Sequence, residues 1–463
     1  MNSGREPVRD SCTPSRSPGR ACPAVLRAAR RAALACMTAL ACLAATAGDD
    51  FSFEPEEFAK SPLTTGGYLE ASWEHLDLNQ DSALSRLRQD QDLPASRDRL
   101  AGAVQLDGSY LKGIAGLHWL LKAAGQLDDQ GWLDHADIFA SYLSLSPGPQ
   151  LELSLGKQSY RWGKGYAWNP VGFLNRSKDP NNPEETLEGY LTAEAEWIRS
   201  SSALVENIAL TGVVLPVWQG VNEEFGRRDQ LKLAAKLYLL FRDTDIDLLW
   251  YSGSDGSSGS NRSSSFGLDF SRNITTNFEL HGELAHSPGR ERIILEADST
   301  TATARESLTS WLLGLRYLNR WNLTTILEYY HNGSGYSTEE LDRFYQLGAE
   351  AEQALSREQR EQLLNQARKL SLQGYGRPNP GRDYLYARFS LREPGEILYF
   401  TPALTTIINL EDRSCSLTPE LLYTGLSNWE IRLRFALLLG SSQSEFGEKL
   451  NSNRLELRLR AFF

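Results

Sequence analysis

Apolar residues in this chain recur at every second position, in runs of about ten, with polar or charged residues between them. At the C-terminal end Leu455, Leu457, Leu459, Ala461 and Phe463 alternate with Glu456, Arg458 and Arg460. Earlier runs behave alike. Leu231, Leu233, Ala235, Leu237, Leu239 and Phe241 oppose Lys232, Lys236 and Tyr238, and Trp429, Ile431, Leu433, Phe435 and Leu437 oppose Glu430, Arg432 and Arg434. Period two places each set on one face of a strand. An edge strand of a sandwich could carry one such run. A filled sandwich core has no room for so many mid-strand ionisable groups, because each needs water or a partner. A wall with hydrocarbon on one side and water on the other accommodates both faces.

The same pattern predicts about 18 strands between residues 67 and 463, with 16 or 20 also compatible because a pair such as that around 128–131 could merge or split. The connections have a parity. Every second link is short, as at Leu111–Gly113, Ser146–Pro149 and Arg392–Gly395. The long links, 77–97, 159–187, 217–228, 287–306 and 332–382, all fall in the other set. Short turns at one rim and long loops at the other, with both ends on the short-turn side, describe an all-β, transmembrane, antiparallel up-and-down barrel. Its first and last strands must pair, since unpaired backbone groups in hydrocarbon are costly.

The front of the chain reads as a leader. Arg27, Arg30 and Arg31 precede an apolar run from Ala32 to Ala45, and Ala45-Thr46-Ala47 supplies a small-residue cleavage pattern. Residues 1–47 are therefore expected to be a secretory signal peptide, possessing an overlong start or a misassigned first codon. Cys36 and Cys42 each follow Ala-Leu-Ala, a faint alternative of lipid attachment. Residues 48–66 would be a periplasmic N-terminal segment, and 67–463 the barrel. Removing 1–47 takes away seven Arg and two acids, so the net charge falls from −11 to −16. That acidity argues against a nucleic-acid partner. Cys415 is the sole cysteine left, which excludes an internal disulfide and a cysteine metal site.

Two links carry candidate chemistry. The first reads Gly156-Lys157-Gln158, then Tyr160-Arg161-Trp162-Gly163-Lys164, Trp168-Asn169-Pro170 and Asp179-Pro180-Asn181-Asn182-Pro183. Folded into the lumen, 159–187 would narrow it. Arg161, Lys164 and Arg176 supply charge, while Tyr160, Trp162, Tyr166 and Trp168 supply flat faces for gripping amphiphiles or for packing the loop against the wall. The second link, 332–382, is expected to hold one amphipathic helix over Ser337–Leu370. Its apolar positions recur every three or four residues behind a Ser337-Thr338-Glu339-Glu340 start. It could cap the mouth, enter it, bind a partner or lie free in solvent.

Arg316, Arg388, Arg432, Arg434, Arg458 and Arg460 have inward parity and could form a basic, anion-favouring wall. Glu70, Glu74, Glu430 and Glu456 are placed to neutralise them. The six histidines fall in no metal motif, and no Gly-x-Ser-x-Gly elbow is present. Glu279, His281 and Glu283 share a strand face and read as a water-lined polar patch rather than a metal site. No cofactor and no catalytic residue is expected.

The Gly-Lys-Gln, Trp-Gly and Asn-Pro segment resembles one found in several porin-like families of bacterial outer-membrane β-barrels. The terminal Phe463 resembles the signal read by the barrel-assembly machinery. Alternation, loop parity and the terminal strand together lead to the expectation of an outer-membrane channel for passive diffusion of small polar or anionic solutes, embedded in outer-membrane lipid, with a homo-oligomer left open. Two rivals remain at this stage: a barrel scaffold docking a periplasmic or export partner, and a lipid-modifying outer-membrane enzyme.

Overall fold

The computed structural model describes residues 61–86, 94–201, 204–226, 229–253, 264–296 and 300–463. The expected leader lies outside the described residues, as does most of the 48–66 segment. Eighteen antiparallel strands run in chain order around a closed ring: β1 (Leu63–Leu78), β2 (Ser96–Lys112), β3 (Ala115–Asp128), β4 (Gly131–Gly148), β5 (Leu151–Gln158), β6 (Tyr190–Ser200), β7 (Val205–Val217), β8 (Gln230–Phe241), β9 (Thr244–Tyr251), β10 (Ser265–Thr275), β11 (Phe278–Leu295), β12 (Thr301–Leu318), β13 (Leu323–His331), β14 (Asp383–Leu391), β15 (Phe400–Asn409), β16 (Cys415–Tyr423), β17 (Trp429–Leu439) and β18 (Asn451–Phe462). No helix of the described residues is long and apolar enough to cross a membrane.

Alternation sets the two faces. On β18, Arg454, Glu456, Arg458 and Arg460 face inward beside Leu76, Glu74, Ser72 and Glu70 of β1. Leu455, Leu457 and Leu459 face outward with His75, Trp73 and Ala71. Leu100, Leu155 and Leu231 are 56%, 61% and 67% exposed, on strands far apart around the ring. A continuous belt of exposed leucine is not tolerated in water, so the belt marks the hydrocarbon-facing surface. Pairing of β1 with β18 over Tyr68–Leu78 closes the ring and leaves no open sheet edge.

The short-turn rim follows the expected parity, down to two-residue links at 113–114 and 242–243. Three expectations are corrected. β1 begins at Leu63, not 67, because Leu63 to Gly66 already pair with Tyr110 to Asp107 of β2. The expected loop 287–306 is mostly strand: β11 and β12 pair out to Leu295 and Thr301, past a register shift after Ser287, and only 296–300 is left as the link. Pro288 and Gly289 look like a turn in sequence but sit at that bulge.

The single helix expected over Ser337–Leu370 is two, α2 (Thr338–Gln353) and α3 (Arg357–Leu370), following a short α1 (Ala83–Arg86) in the β1–β2 link. Ser337 and Glu340 form a capping box at the start of α2. Ser356 restarts the chain by accepting a hydrogen bond from the Gln359 amide at 3.2 Å. Phe344, Leu347, Ala367 and Leu370 from the helices pack with Leu295 of β11 and Ala83 of α1 in one apolar cluster. α1 follows β1, which is eight strand steps from β11 around an 18-strand ring, so a cluster joining α1 to Leu295 reaches across the mouth. Arg292 pairs with Glu340 at 2.8 Å, Arg343 donates to the Leu295 carbonyl at 3.1 Å, and Lys449 of the β17–β18 link donates to the Pro378 carbonyl at 2.7 Å. Glu445, from that same link, is buried against Tyr384 and Asn409, and burial pushes its carboxyl above the ordinary range.

The seam supplies a prediction. A Cβ on Gly67 would meet the Gln105 carbonyl oxygen at 2.1 Å and the Phe463 ring at 3.0 Å, whereas one on Gly66 meets nothing closer than 3.6 Å. Gly67→Leu should destabilise the barrel by about 1–3 kcal/mol, the usual cost of overpacking, while Gly66→Ala should be tolerated. Urea unfolding midpoints of the two variants in lipid vesicles check the contrast.

Candidate functional site: the inward loop and the charged lumen

β5 is short, and the chain leaves the wall after Gln158. Loop 159–189 folds into the lumen rather than out from the rim. A segment that abandons the sheet must find new partners for its backbone N–H groups. Two inward carboxylates supply them. Glu283 of β11 accepts from the Lys164 amide at 2.7 Å, the Gly165 amide at 2.6 Å, the Asn169 side-chain amide at 2.8 Å and the Val171 amide at 3.2 Å. Glu328 of β13 accepts from the amides of Tyr166 and Ala167 and lies 3.0 Å from His281 Nε2. Both glutamates are almost wholly buried. Gly163 has φ +102°, and a Cβ there would come within 2.6 Å of a Glu283 oxygen, so the clamp needs glycine at this position.

Side chains complete the anchoring. Lys164 places its ammonium 2.9 Å from Asp247 and 3.8 Å from the fully buried Asp269. Asn175 holds Trp162 by both edges of its peptide, accepting from its amide at 2.9 Å and donating to its carbonyl at 2.7 Å. Tyr160 meets Thr192 at 2.8 Å and packs edge-on to Trp162. Trp168 stacks on Tyr330 with ring centres 5.0 Å apart and also packs by Tyr384 and Tyr386. Arg176 lies over the Tyr190 ring at 4.5 Å and pairs with Glu188 and Glu224. Tyr160, Trp162, Lys164, Trp168 and Arg176 thus fasten the loop. Arg161 alone of these candidates is exposed and has no ion pair among the described residues.

The far end of the loop reaches the opposite wall. Asn181 accepts from Thr418 at 3.2 Å, Asn182 lies 3.4 Å from Arg432, and Glu185 lies 3.5 Å from Lys122 of β3. There the inward arginines form an interleaved ladder. Arg388 and Arg434 share Glu420 at 3.0 and 2.6 Å, and Arg432 pairs with Glu430 at 3.1 Å. Arg454 and Arg458 share Glu456 at 2.9 and 2.6 Å, and Arg460 pairs with Glu70 at 2.6 Å. Six guanidiniums face four carboxylates, so the ladder stiffens the wall and keeps a positive excess. Arg316 adds a seventh cation, without an ion pair among the described residues, beside a cavity of about 310 Å³ that also borders Arg388, Arg432 and Arg434.

Glu283, Glu328, His281, Asp247 and Asp269 were not singled out as loop anchors by sequence. Glu283 and His281 read there as a wet polar patch, and their burial comes from the loop itself. Only inward acids opposite a Gly-rich link hinted at the contact.

Glu283→Ala would strand four buried donors, and hydrogen bonds to a charged acceptor contribute about 1.5–3 kcal/mol each. Amide exchange at Lys164, Gly165 and Val171 should accelerate by about 100-fold, equivalent to ~3 kcal/mol, with exchange in β2 and β3 unchanged. Mass-spectrometric hydrogen exchange on detergent-solubilised protein reads this directly.

No family model and no curated protein matches this sequence. Among solved structures, the chain is similar to OccAB3 of Acinetobacter baumannii at 10% identity and TM-score 0.46, covering 87% of this chain and 99% of that one. It is also similar to Salmonella typhi OmpF, solved with daunomycin, at 9% identity and TM-score 0.42, covering 87% and 97%. A triple mutant of Rhodopseudomonas blastica porin aligns at 10% identity and TM-score 0.42, covering 87% and 100%. Likenesses this remote say nothing about what passes through or binds to this barrel.

Proposed function

We propose that this protein is a bacterial outer-membrane channel through which small polar or anionic solutes diffuse passively, with loop 159–189 setting the bore. The observation that supports this reading is the asymmetry of the lumen. The inward loop fills the side bounded by β7–β14, where inward residues such as Thr211, Asp269, Glu283 and Tyr386 are buried. On the other side, His135 and Asp137 of β4 share a face with Lys122, whose ammonium meets the loop, and both remain exposed. A water-filled path against β1–β4 and β18 fits that distribution. Its edge carries the positive excess of the arginine ladder, which favours anions as charged rings do in channels.

A second reading has one observation behind it. Leu355, between α2 and α3, is fully exposed, and Leu372 is 91% exposed at the end of the same cap. Apolar side chains on the outer surface of a cap suit a barrel that docks an export or surface partner.

Planar-bilayer recording tests the first reading. Purified protein should pass ions, with a reversal potential showing anion preference. Arg161→Gln and Arg316→Gln, which break no ion pair, should shift that potential toward neutrality. Deleting 338–370 should raise single-channel conductance if the cap restricts the mouth. Absence of current from folded, lipid-inserted protein would remove the channel reading and leave the docking one.

A further inference from the structure

Between the cap and the inward loop lies a half-open chamber of about 600 Å³. Three separate parts of the chain build it. Phe173 comes from the inward loop, Arg290 from the protruding part of β11, and Tyr336, Gln373 and Arg377 from the cap link. We propose that this chamber is a binding site for a small organic anion, a carboxylate carried on a flat apolar body. The inference deepens the channel reading by naming a solute class, and it rests on that reading only for the solute's way in.

The charge argument is one of supply and demand. Arg290 and Arg377 line the chamber, and neither has an ion pair or side-chain hydrogen bond among the described residues. Gln373 likewise has no side-chain partner there. The nearby carboxylates are committed. Glu283 is saturated by the loop amides, and Glu340 is held by Arg292 and by the Ser337 amide. Glu291 also lines the chamber, opposite Arg305 in register, and is engaged in an interaction of its own, and Glu306, opposite Arg290, lies 3.7 Å from Arg292. The serine hydroxyls are committed: Ser287 bonds to Ser265 at 2.7 Å, Ser310 accepts from the Gly333 amide at 2.9 Å, and Ser334 donates to Asn332 at 2.8 Å. The lining groups without a partner among the described residues include the two guanidiniums, the Gln373 amide and the Thr303 hydroxyl, all able to donate. Guanidinium forks match carboxylate geometry.

The apolar share comes from Phe173, Pro170, Ile293 and Leu308, beside the largely buried Tyr336. Tyr336 is 3% exposed and stacks on Tyr375 at 3.8 Å, which fixes its orientation. Phe173 stacks on Tyr251 at 6.2 Å. Flat faces with convergent donors are the usual make-up of small-molecule pockets, and 600 Å³ lies within their normal range of about 300–1,000 Å³. At the ~30 Å³ that one water takes in the liquid, the chamber holds about 20 non-hydrogen atoms. An aromatic acid fits that size; a bare inorganic anion would leave most of the space empty, and a polymer would not enter.

The test uses the full barrel in detergent, with naphthalene-2-carboxylate as titrant in calorimetry and naphthalene-2-methanol as its neutral counterpart. The carboxylate should bind saturably with a dissociation constant below about 1 mM, and the alcohol should bind at least about tenfold more weakly. The double substitution Arg290→Gln with Arg377→Gln should weaken the carboxylate by about tenfold or more, and the Lys/Lys version should recover part of the loss. Both arginines lie outside the hydrocarbon-facing belt, so the variants should keep the heat-resistant folded band of the parent on a gel. No saturable binding by the parent, equal binding of acid and alcohol, or binding indifferent to the Gln pair would each overturn the proposal. Ion current in bilayers separates the two readings: current without binding sinks the chamber and keeps the channel, while binding without current does the reverse.

Discussion

A peptide segment that leaves a sheet and enters a lumen carries its unsatisfied N–H groups with it, and Glu283 and Glu328 are where this protein settles that debt. Six donors from loop 159–189 converge on the two side chains. Each glutamate belongs to a strand whose other face meets hydrocarbon, so the anchor points are as rigid as the barrel wall. The loop's path follows from them. Its aromatic side chains stack on β13 and β14, its distal asparagines reach β16 and β17, and Phe173 becomes the floor of the chamber above.

The arrangement also divides the lumen by character. Over β7–β14 the interior is packed almost like a soluble core, with Tyr384, Tyr386, Leu312 and Leu249 buried. Along β1–β4 most inward residues are only half-buried, and His135 and Asp137 are exposed. A barrel this wide has no side chains long enough to fill itself, so the loop acts as an inserted half-core. Charge placement follows the same division. Carboxylates that grip the loop are sealed in the packed half, while the arginine ladder borders the wet half and holds its own carboxylates in register through cross-strand pairs such as Glu70 with Arg460 and Glu420 with Arg434.

The cap adds a second layer by the same logic at longer range. It is joined to α1, to the tip of β11 and to the β17–β18 link, so elements that are remote in sequence meet over the mouth. The protruding β11–β12 hairpin makes this possible by lifting Leu295 into contact with the helices. Arg292 then serves as a post between wall and cap through Glu340 and the Gly335 carbonyl.

By itself, the sequence determined the barrel, its strand count to within two and the parity of its rims. These follow from period-two alternation and turn residues, both of which are local, and hydrocarbon enforces the alternation on every strand. It also put Arg432, Arg434, Arg458 and Arg460 on one face of their strands, since facing is a matter of parity. Sequence placed Glu70, Glu430 and Glu456 among the arginines they pair with, but the tertiary structure decided the individual pairs and gave Glu74 to Arg99, because pairing depends on register between strands that alternation does not specify. It decided that residues 287–295 and 301–306 extend a hairpin, against the turn signal of Pro288-Gly289, and that Ser356 divides the cap into two helices. Above all it decided the fate of Glu283 and Glu328. An inward carboxylate looks the same in sequence whether it meets water or a loop 119 residues away, and only the folded chain brings its donors to it.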